Sequence, residues 1–226
     1  MAIDWQAFWL TFRLALIVSA ALLALGVPLA YWITFSRRRW KFLVEALVAL
    51  PVVLPPTVLG FYVMVALGPR SPLGSWWISL TGHTLAFTFS GLVIGSILYS
   101  LPFAVQPFAA SFAGVDRKLI AASATLGASS TRTFLRVIAP LSLPGLVAGS
   151  VLSFAHTMGE FGVVLMVGGN IPGVTRTVSI DIYDRVQVSD YSGANQTALL
   201  LLVLCFGLLA IVYGFNRRAW AIGPVK

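Results

Sequence analysis

Ala121-Ala122-Ser123-Ala124-Thr125-Leu126-Gly127, continued to Val137-Ile138-Ala139-Pro140, is a stretch of small and polar residues between long apolar runs. Asp116 stands where a helix is capped, residues 118–126 hold few helix breakers, and Gly127 follows as a C-terminal cap. Ser130-Thr131 start a second short helix with Phe134, Val137 and Ile138 as its apolar stripe, and Pro140 is expected to end it. Helix, glycine turn and helix make a compact knob able to fill a groove on another protein. An amphipathic connector without a partner is the plainer alternative.

Outward from the knob the chain is membrane-like. Of its 226 residues 58% are hydrophobic and 10% charged, against about 25% charged in soluble domains. Runs over residues 8–35, 42–67, 85–110 and 141–167 exceed the roughly 18–20 residues needed to cross the hydrocarbon core, and residues 197–215 just reach it. The expected fold is therefore an all-α integral membrane domain spanning residues 1–226. It has about five transmembrane helices, with residues 111–140 as the intervening loop.

Charge placement orients it. Of the fifteen Lys and Arg, only Arg13, Arg70, Arg176 and Arg185 fall on one side. Arg37, Arg38, Arg39, Lys41, Arg117, Lys118, Arg132, Arg136, Arg217, Arg218 and Lys226 share the other. Basic loops stay cytoplasmic, which puts the N-terminus outside and the C-terminus and knob inside. The net charge of +8 is thus a topology signal and gives no reason to invoke nucleic acid. Met1-Ala2-Ile3-Asp4 lacks a positive leader region, so the first run reads as a retained span. Few residues follow the last span, too few for a regulatory module. Cys205 is the only cysteine, so no intrachain disulfide or cysteine metal site is possible.

Several spans are interrupted. Gly26 and Pro28 loosen the first, Pro51, Pro55 and Pro56 the second, and Pro102 and Pro107 the third. Leu54-Pro55-Pro56-Thr57-Val58-Leu59-Gly60 cannot be one regular helix, and broken backbone at membrane depth needs protein or a wet cavity to satisfy it. A kink and a pathway lining are both open for Pro55, Pro56 and Thr57. The pattern Leu-Pro-x-x-Val-x-Gly recurs at residues 143–149, a weak hint of an internal repeat. Gly91 and Gly95 have the spacing that lets helices approach closely. Trp76-Trp77 in the outer loop, residues 68–84, reads as interfacial anchoring rather than ligand stacking.

The knob resembles the coupling loop of ABC importer permeases, with Ala121, Ala122 and Gly127 at the first, second and seventh places and Val137 and Pro140 at the Ile and Pro places of its second half. Ala121 for the family's Glu, Ser123 for Ala and Ala139 for Leu are departures that leave the shape but change the contact. Leu54 to Tyr62, Leu67-Gly68-Pro69-Arg70-Ser71-Pro72-Leu73-Gly74, Met158-Gly159-Glu160-Phe161-Gly162, Gly169-Asn170-Ile171-Pro172-Gly173 and Thr175-Arg176-Thr177 are similar to molybdate permeases. Sulfate and tungstate permeases share the Gly-Glu-aromatic-Gly core. The resemblance covers most of residues 10–215. It implies a type I importer permease bundle in a bacterial inner membrane, working as a homodimer. Two cytoplasmic ATPase subunits and a periplasmic molybdate-binding protein would be its partners. It also assigns ATPase coupling to Ala121, Ala122, Ser123, Gly127, Phe134 and Pro140.

Glu160 is the only carboxylate well inside a span, about 10 Å below the outer end at Val167 at the helical rise, and an intramembrane acid is a functional candidate by default. His156, four residues earlier, is expected on the same helix face, where the two could simply pair. An ionised acid repels an oxyanion, so a structural or gating role for Glu160 is favoured over substrate contact. Gly159 and Gly162 flank it and permit close backbone approach. Val178, Ile182 and Val186 predict an outer amphipathic helix whose polar face, Asp181, Asp184, Arg185 and Asp190, is solvated or receives a binding protein. No phosphate-cradling Gly-x-x-x-x-Gly-Lys-Ser/Thr is present, so ATP would be hydrolysed by a partner. Two distant histidines and few acids argue against a metal centre, a catalytic set or a resident cofactor. A proton-coupled carrier with Glu160 as its proton site is a further class left open.

Overall fold

The structure, a computed structural model, describes residues 3–221 and their side chains as far as Gly214. Met1, Ala2 and Lys226, and the side chains of Arg217 and Arg218 used for orientation, lie outside the described part. Among the described residues every regular element is a helix. Helix α1 (Trp5–Phe35) is capped by Asp4, whose Oδ1 accepts from the Gln6 and Ala7 amides at 3.0 Å. It is followed by α2 (Lys41–Val53), α3 (Pro56–Leu67), α4 (Pro72–Thr81) and α5 (Phe89–Ala113). Then come α6 (Arg117–Thr125), α7 (Ser130–Leu141), α8 (Leu143–Met158), α9 (Gly162–Gly168), α10 (Val178–Gln187) and α11 (Tyr191–Ala221).

Trp5–Phe35, Phe89–Ala113 and Tyr191–Gly214 are long and apolar enough to cross a membrane singly. The second predicted run is not one rod: α2 and α3 meet at 113°, and α7 and α8 meet at 73°. Counting each bent pair as one span gives five. Pro56 opens α3 and Pro144 stands in the first turn of α8, where a missing amide costs no hydrogen bond. The recurring Leu-Pro-x-x-Val-x-Gly pattern therefore sits at both breaks. The run 141–167 also divides. At about 1.5 Å per residue α8 covers only about 24 Å of a roughly 30 Å core, and after Gly159 the chain turns into the short α9.

The core is a three-helix contact of α1, α5 and α8. Leu14, Val18, Leu22 and Ala30 line one face of α1 at helical spacing and are fully buried against Ala104, Phe108 and Phe112 of α5. Lipid is as apolar as leucine, so close contact rather than water exclusion holds such helices together, and small residues permit it. A Cβ on Gly149 of α8 would lie 2.7 Å from the Phe108 ring, and one on Gly26 of α1 3.3 Å from its other side. Gly95 likewise brings α5 against Val163 of α9, as its spacing with Gly91 predicts, whereas Gly91 itself meets the backbone at Leu85. A second cluster joins α3 to α9 through Val63, Leu67, Val163 and Val167.

The outer segment, residues 68–84, reads as loop in sequence but holds a helix. Ser71 Oγ accepts from the Gly74 amide at 2.8 Å, Pro72 follows at the first helical position, and Gly82 at φ 74° ends α4. Trp76 on α4 is exposed, and Trp77 packs against the α3–α9 cluster.

Candidate functional site

A cavity of about 580 Å³ opens where the two broken helices meet. Pro56 and Thr57 of α3 form one wall, Tyr99 of α5 and His156 of α8 another, and the Gly159-Glu160-Phe161-Gly162 turn a third. Six of the seven predicted pathway residues thus share one cavity lining; Pro55, just before α3, does not line it. Gly162 is required by packing, since its Cβ would stand 2.5 Å from Pro56 Cβ. Gly159 is not: a Cβ there meets only carbonyl oxygens at 3.8 and 3.9 Å, an ordinary distance.

The simple pairing of His156 with Glu160 that a shared helix face would allow does not form. Helix α8 stops at Met158, so Glu160 lies in the turn before α9 and the four-residue spacing no longer places the two on one face. His156 Nδ1 instead meets Ser100 Oγ at 2.9 Å, with the ring stacked on Phe103 at 3.9 Å between centroids. Ser100 continues to Thr157 Oγ1 at 3.0 Å, and Thr157 donates to the Ser153 carbonyl at 2.8 Å. With the threonine proton spent there, Ser100 donates to Thr157 and accepts from Nδ1–H of His156. Glu160 is 3% exposed, and neither carboxyl oxygen makes a hydrogen bond of full geometry among the described residues. The Ser96 hydroxyl, likewise short of a well-formed bond, stands beside it as the donor it faces. A buried polar group of this kind costs free energy until something supplies a hydrogen bond. Ser96 and Ser100 were missed in the sequence, although serines four apart in an apolar span are a readable signal for a polar helix face.

The predicted knob is present. Asp116 Oδ1 accepts from the Lys118 amide at 2.8 Å to start α6, and Gly127 takes φ 77° to turn the chain. Helix α7 starts at Ser130 as expected, capped by Ser129 through the Arg132 amide at 3.3 Å. Pro140 does not end this helix. The Ala139 amide reaches back five residues to the Phe134 carbonyl, making a π turn, and the helix continues to Leu141. A proline inside a helix forfeits its own bond and crowds the carbonyl four residues back, and the wider turn just before Pro140 is a local adjustment of that kind. The predicted coupling residues divide by location. Ala121, Ala122, Gly127 and Pro140 are exposed. Phe134 points inward to Tyr31 and Phe112, with ring centroids at 5.3 and 5.9 Å. Ser123 bonds Thr133 at 2.9 Å inside the knob. Leu126, which sequence reading passed over, is the most projecting large side chain there, at 88% exposed.

On the opposite side, α10 is amphipathic as predicted, but its polar face is not simply solvated. Asp181 is buried and accepts from Arg185 Nε at 2.8 Å, and Arg185 Nη1 also reaches Asp190 at 3.2 Å. The hydrogen bond to Asp181 holds the Arg185 guanidinium above its ordinary pKa. Asp184 faces Arg176 at 3.5 Å and is bonded by Asn170, tying α10 to the loop after α9.

Several apolar helices, a cavity at their broken joints and a two-helix knob on the basic side define a multi-pass membrane permease. The family described as binding-protein-dependent transport system inner membrane component matches residues 23–221, and the chain belongs to that family. It is similar to the molybdenum transport system permease protein ModB of Azotobacter vinelandii, 45% identical over 95% of each chain. ModB of Escherichia coli K12 is 34% identical over 92% of this chain and 91% of its own. Among solved structures, an inward-facing MetNI methionine ABC transporter superposes with a TM-score of 0.74 at 16% identity, covering 94% of each chain. A bacterial ABC importer of alginate gives 0.72 at 17%, covering 96% of this chain and 80% of the other. These last two establish the shared type I importer fold.

Proposed function

We propose that the chain is the permease subunit of an ATP-driven importer that carries molybdate across the bacterial inner membrane. The observation that carries this reading is the 45% identity to a molybdenum permease over 95% of both chains. In this reading residues 1–226 form one transmembrane permease domain, and two copies enclose the path. Two ATPase subunits grip the knobs from the cytoplasm, and a periplasmic molybdate-binding protein delivers cargo to the outer face.

The geometry supports a mechanical route between the two ends. The knob is tied to the bundle by Phe134 between Tyr31 of α1 and Phe112 of α5, and α7 leads into α8 with only Ser142 between them. A displacement of the knob by ATP-driven closure of the ATPase pair therefore acts on α8, whose far end carries His156 and leads into the Glu160 turn. Alternating access follows when that turn and α3 part or close. Ala121, Ala122, Gly127 and Leu126 are the knob residues assigned to the ATPase contact, whereas Ser123, Phe134 and Pro140 shape and anchor the knob. Pro56, Thr57, His156, Gly159, Glu160 and Gly162 are assigned to the path or its gate, with Pro55 setting the bend before it. Glu160 holds the gate through a hydrogen bond that another conformation or the second copy completes.

The test is uptake of labelled molybdate into proteoliposomes containing this chain, its ATPase and its binding protein, with tungstate and sulfate as competitors. Uptake that needs both partners and ATP supports the reading, and the competition order assigns the anion. Uptake without the ATPase refutes it in favour of a secondary carrier.

A further inference from the structure

Trp5, Trp9 and Arg13 recur every four residues along α1 and so lie in one row. Both indoles are about two-thirds exposed, at 66% and 67%. Arg13 is the one cation in the body of this span, and no acidic side chain pairs with it among the described residues. It is also one of the four cations, with Arg70, Arg176 and Arg185, that run against the charge asymmetry by lying on the outer side. Its guanidinium sits 4.8 Å from the Phe89 ring centroid, which fixes the plane of the fork without neutralising it.

Beside it is a separate cavity of about 260 Å³, bounded by Gln6, Trp9, Arg13, Phe89, Gly173 and Val174. Gly173, at φ 74°, admits the Gln6 amide, whose Nε2 would be 2.5 Å from a Cβ there. Helical side chains lean toward the N-terminus, which here is the outer end. Arg13 starts about 12 Å along α1 from Trp5, and its long stem carries the charge back toward the interface while its methylenes stay in the apolar region.

We propose that this cavity binds the phosphodiester of an anionic phospholipid of the outer leaflet. Arg13 forms a paired charge-assisted contact to two phosphate oxygens, and the Gln6 amide donates a further hydrogen bond. The indoles of Trp5 and Trp9 lie at headgroup level beside the glycerol. A free tetrahedral oxyanion has the same oxygen chemistry but no tails. The row of exposed Phe12, Leu16 and Ile17 continuing down α1 favours the lipid.

The experiment is native mass spectrometry of the full-length permease in detergent, titrated with phosphatidylglycerol, diacylglycerol, inorganic phosphate or molybdate. The expected result is retention of phosphatidylglycerol but not of diacylglycerol, with neither inorganic anion displacing it. Arg13→Gln should weaken retention about tenfold or more, the scale of losing charge-assisted hydrogen bonds, and Arg13→Lys should restore part of it. Should Arg13→Gln fail to purify, Val174→Glu, at an exposed position on the cavity rim, should weaken retention by repulsion. Equal retention of diacylglycerol overturns the proposal, as does unchanged retention by Arg13→Gln or, in its place, Val174→Glu. Displacement by phosphate or molybdate overturns it by assigning the cavity to the inorganic anion.

Discussion

Replacing Gly162 by alanine tests the joint on which the cavity is built. The new Cβ would stand 2.5 Å from Pro56 Cβ, whereas carbon atoms settle at about 3.5–4.0 Å, so the two groups must separate by about 1 Å or more. Pro56 cannot rotate away because its ring fixes the atom to the backbone, and it opens α3. Helix α3 must therefore move from α9, which loosens the packing of Gly60 on Met166 and of Val63 on Val163. Overpacking of this kind costs about 1–3 kcal/mol. The helix preference of alanine over glycine returns at most about 1 kcal/mol, and less at the first residue of α9, so the clash wins by about 1–2 kcal/mol. At about 2–4 °C per kcal/mol for a domain of this size, melting should fall by about 2–8 °C. Tryptophan emission of the purified permease, which has seven tryptophans, reads the transition. Gly207→Ala on α11 is the control. A Cβ there meets nothing within 4 Å, so stability should hold or rise slightly. If the two variants melt together at the wild-type temperature, the α3–α9 contact is not what holds the joint closed.

Gly127→Val places a β-branched residue at φ 77° with open space around it. Its cost is local backbone strain of about 1–2 kcal/mol, so membrane insertion should be unchanged while co-purification of the ATPase falls. Ser123→Ala and Thr133→Val each break the bond inside the knob, and the pair should be non-additive by about 0.5–1.5 kcal/mol in a thermal double-mutant cycle. Asp181→Asn removes a carboxylate that Arg185 donates to and should lower stability by about 1.5–3 kcal/mol; because Asp190 remains, a loss much larger than this would contradict the shared pairing.

The knob was readable because its signals are local: an aspartate cap, a glycine at a left-handed turn and a run of helix formers between them. Helix α4 was equally readable from Ser71-Pro72 and Gly82, but composition alone marked that segment as loop. The π turn before Pro140 was not. A proline at that place signals an end or an adjustment, and the local sequence does not say which. The position of Glu160 depended on whether the helix continued past Gly159. Helical spacing predicts a His156 partner only inside an unbroken helix, and two glycines within four residues do not say where it breaks. Asp181 reads as surface from its charged neighbours in sequence, yet one of those charges, on Arg185, is what lets it be buried. Local chemistry was legible, while the assignment of each polar group to inside or outside needed the third dimension.

The last long helix has a consequence for how the protein is made. Within the most apolar 18-residue stretch of this helix only 6% is buried by the rest of the chain, while α1, α5 and α8 already pack around the Phe108 and Phe112 centre. The centre can therefore be complete while α11 is still inside the ribosome. Its arrival adds a helix to the outside of a centre already packed, and its outward residues answer to what lies beyond this chain rather than to its core. Substitutions among Leu199, Leu202, Val203 and Phe206 should be freely exchanged for other apolar residues over generations, at a pace the central helices cannot match.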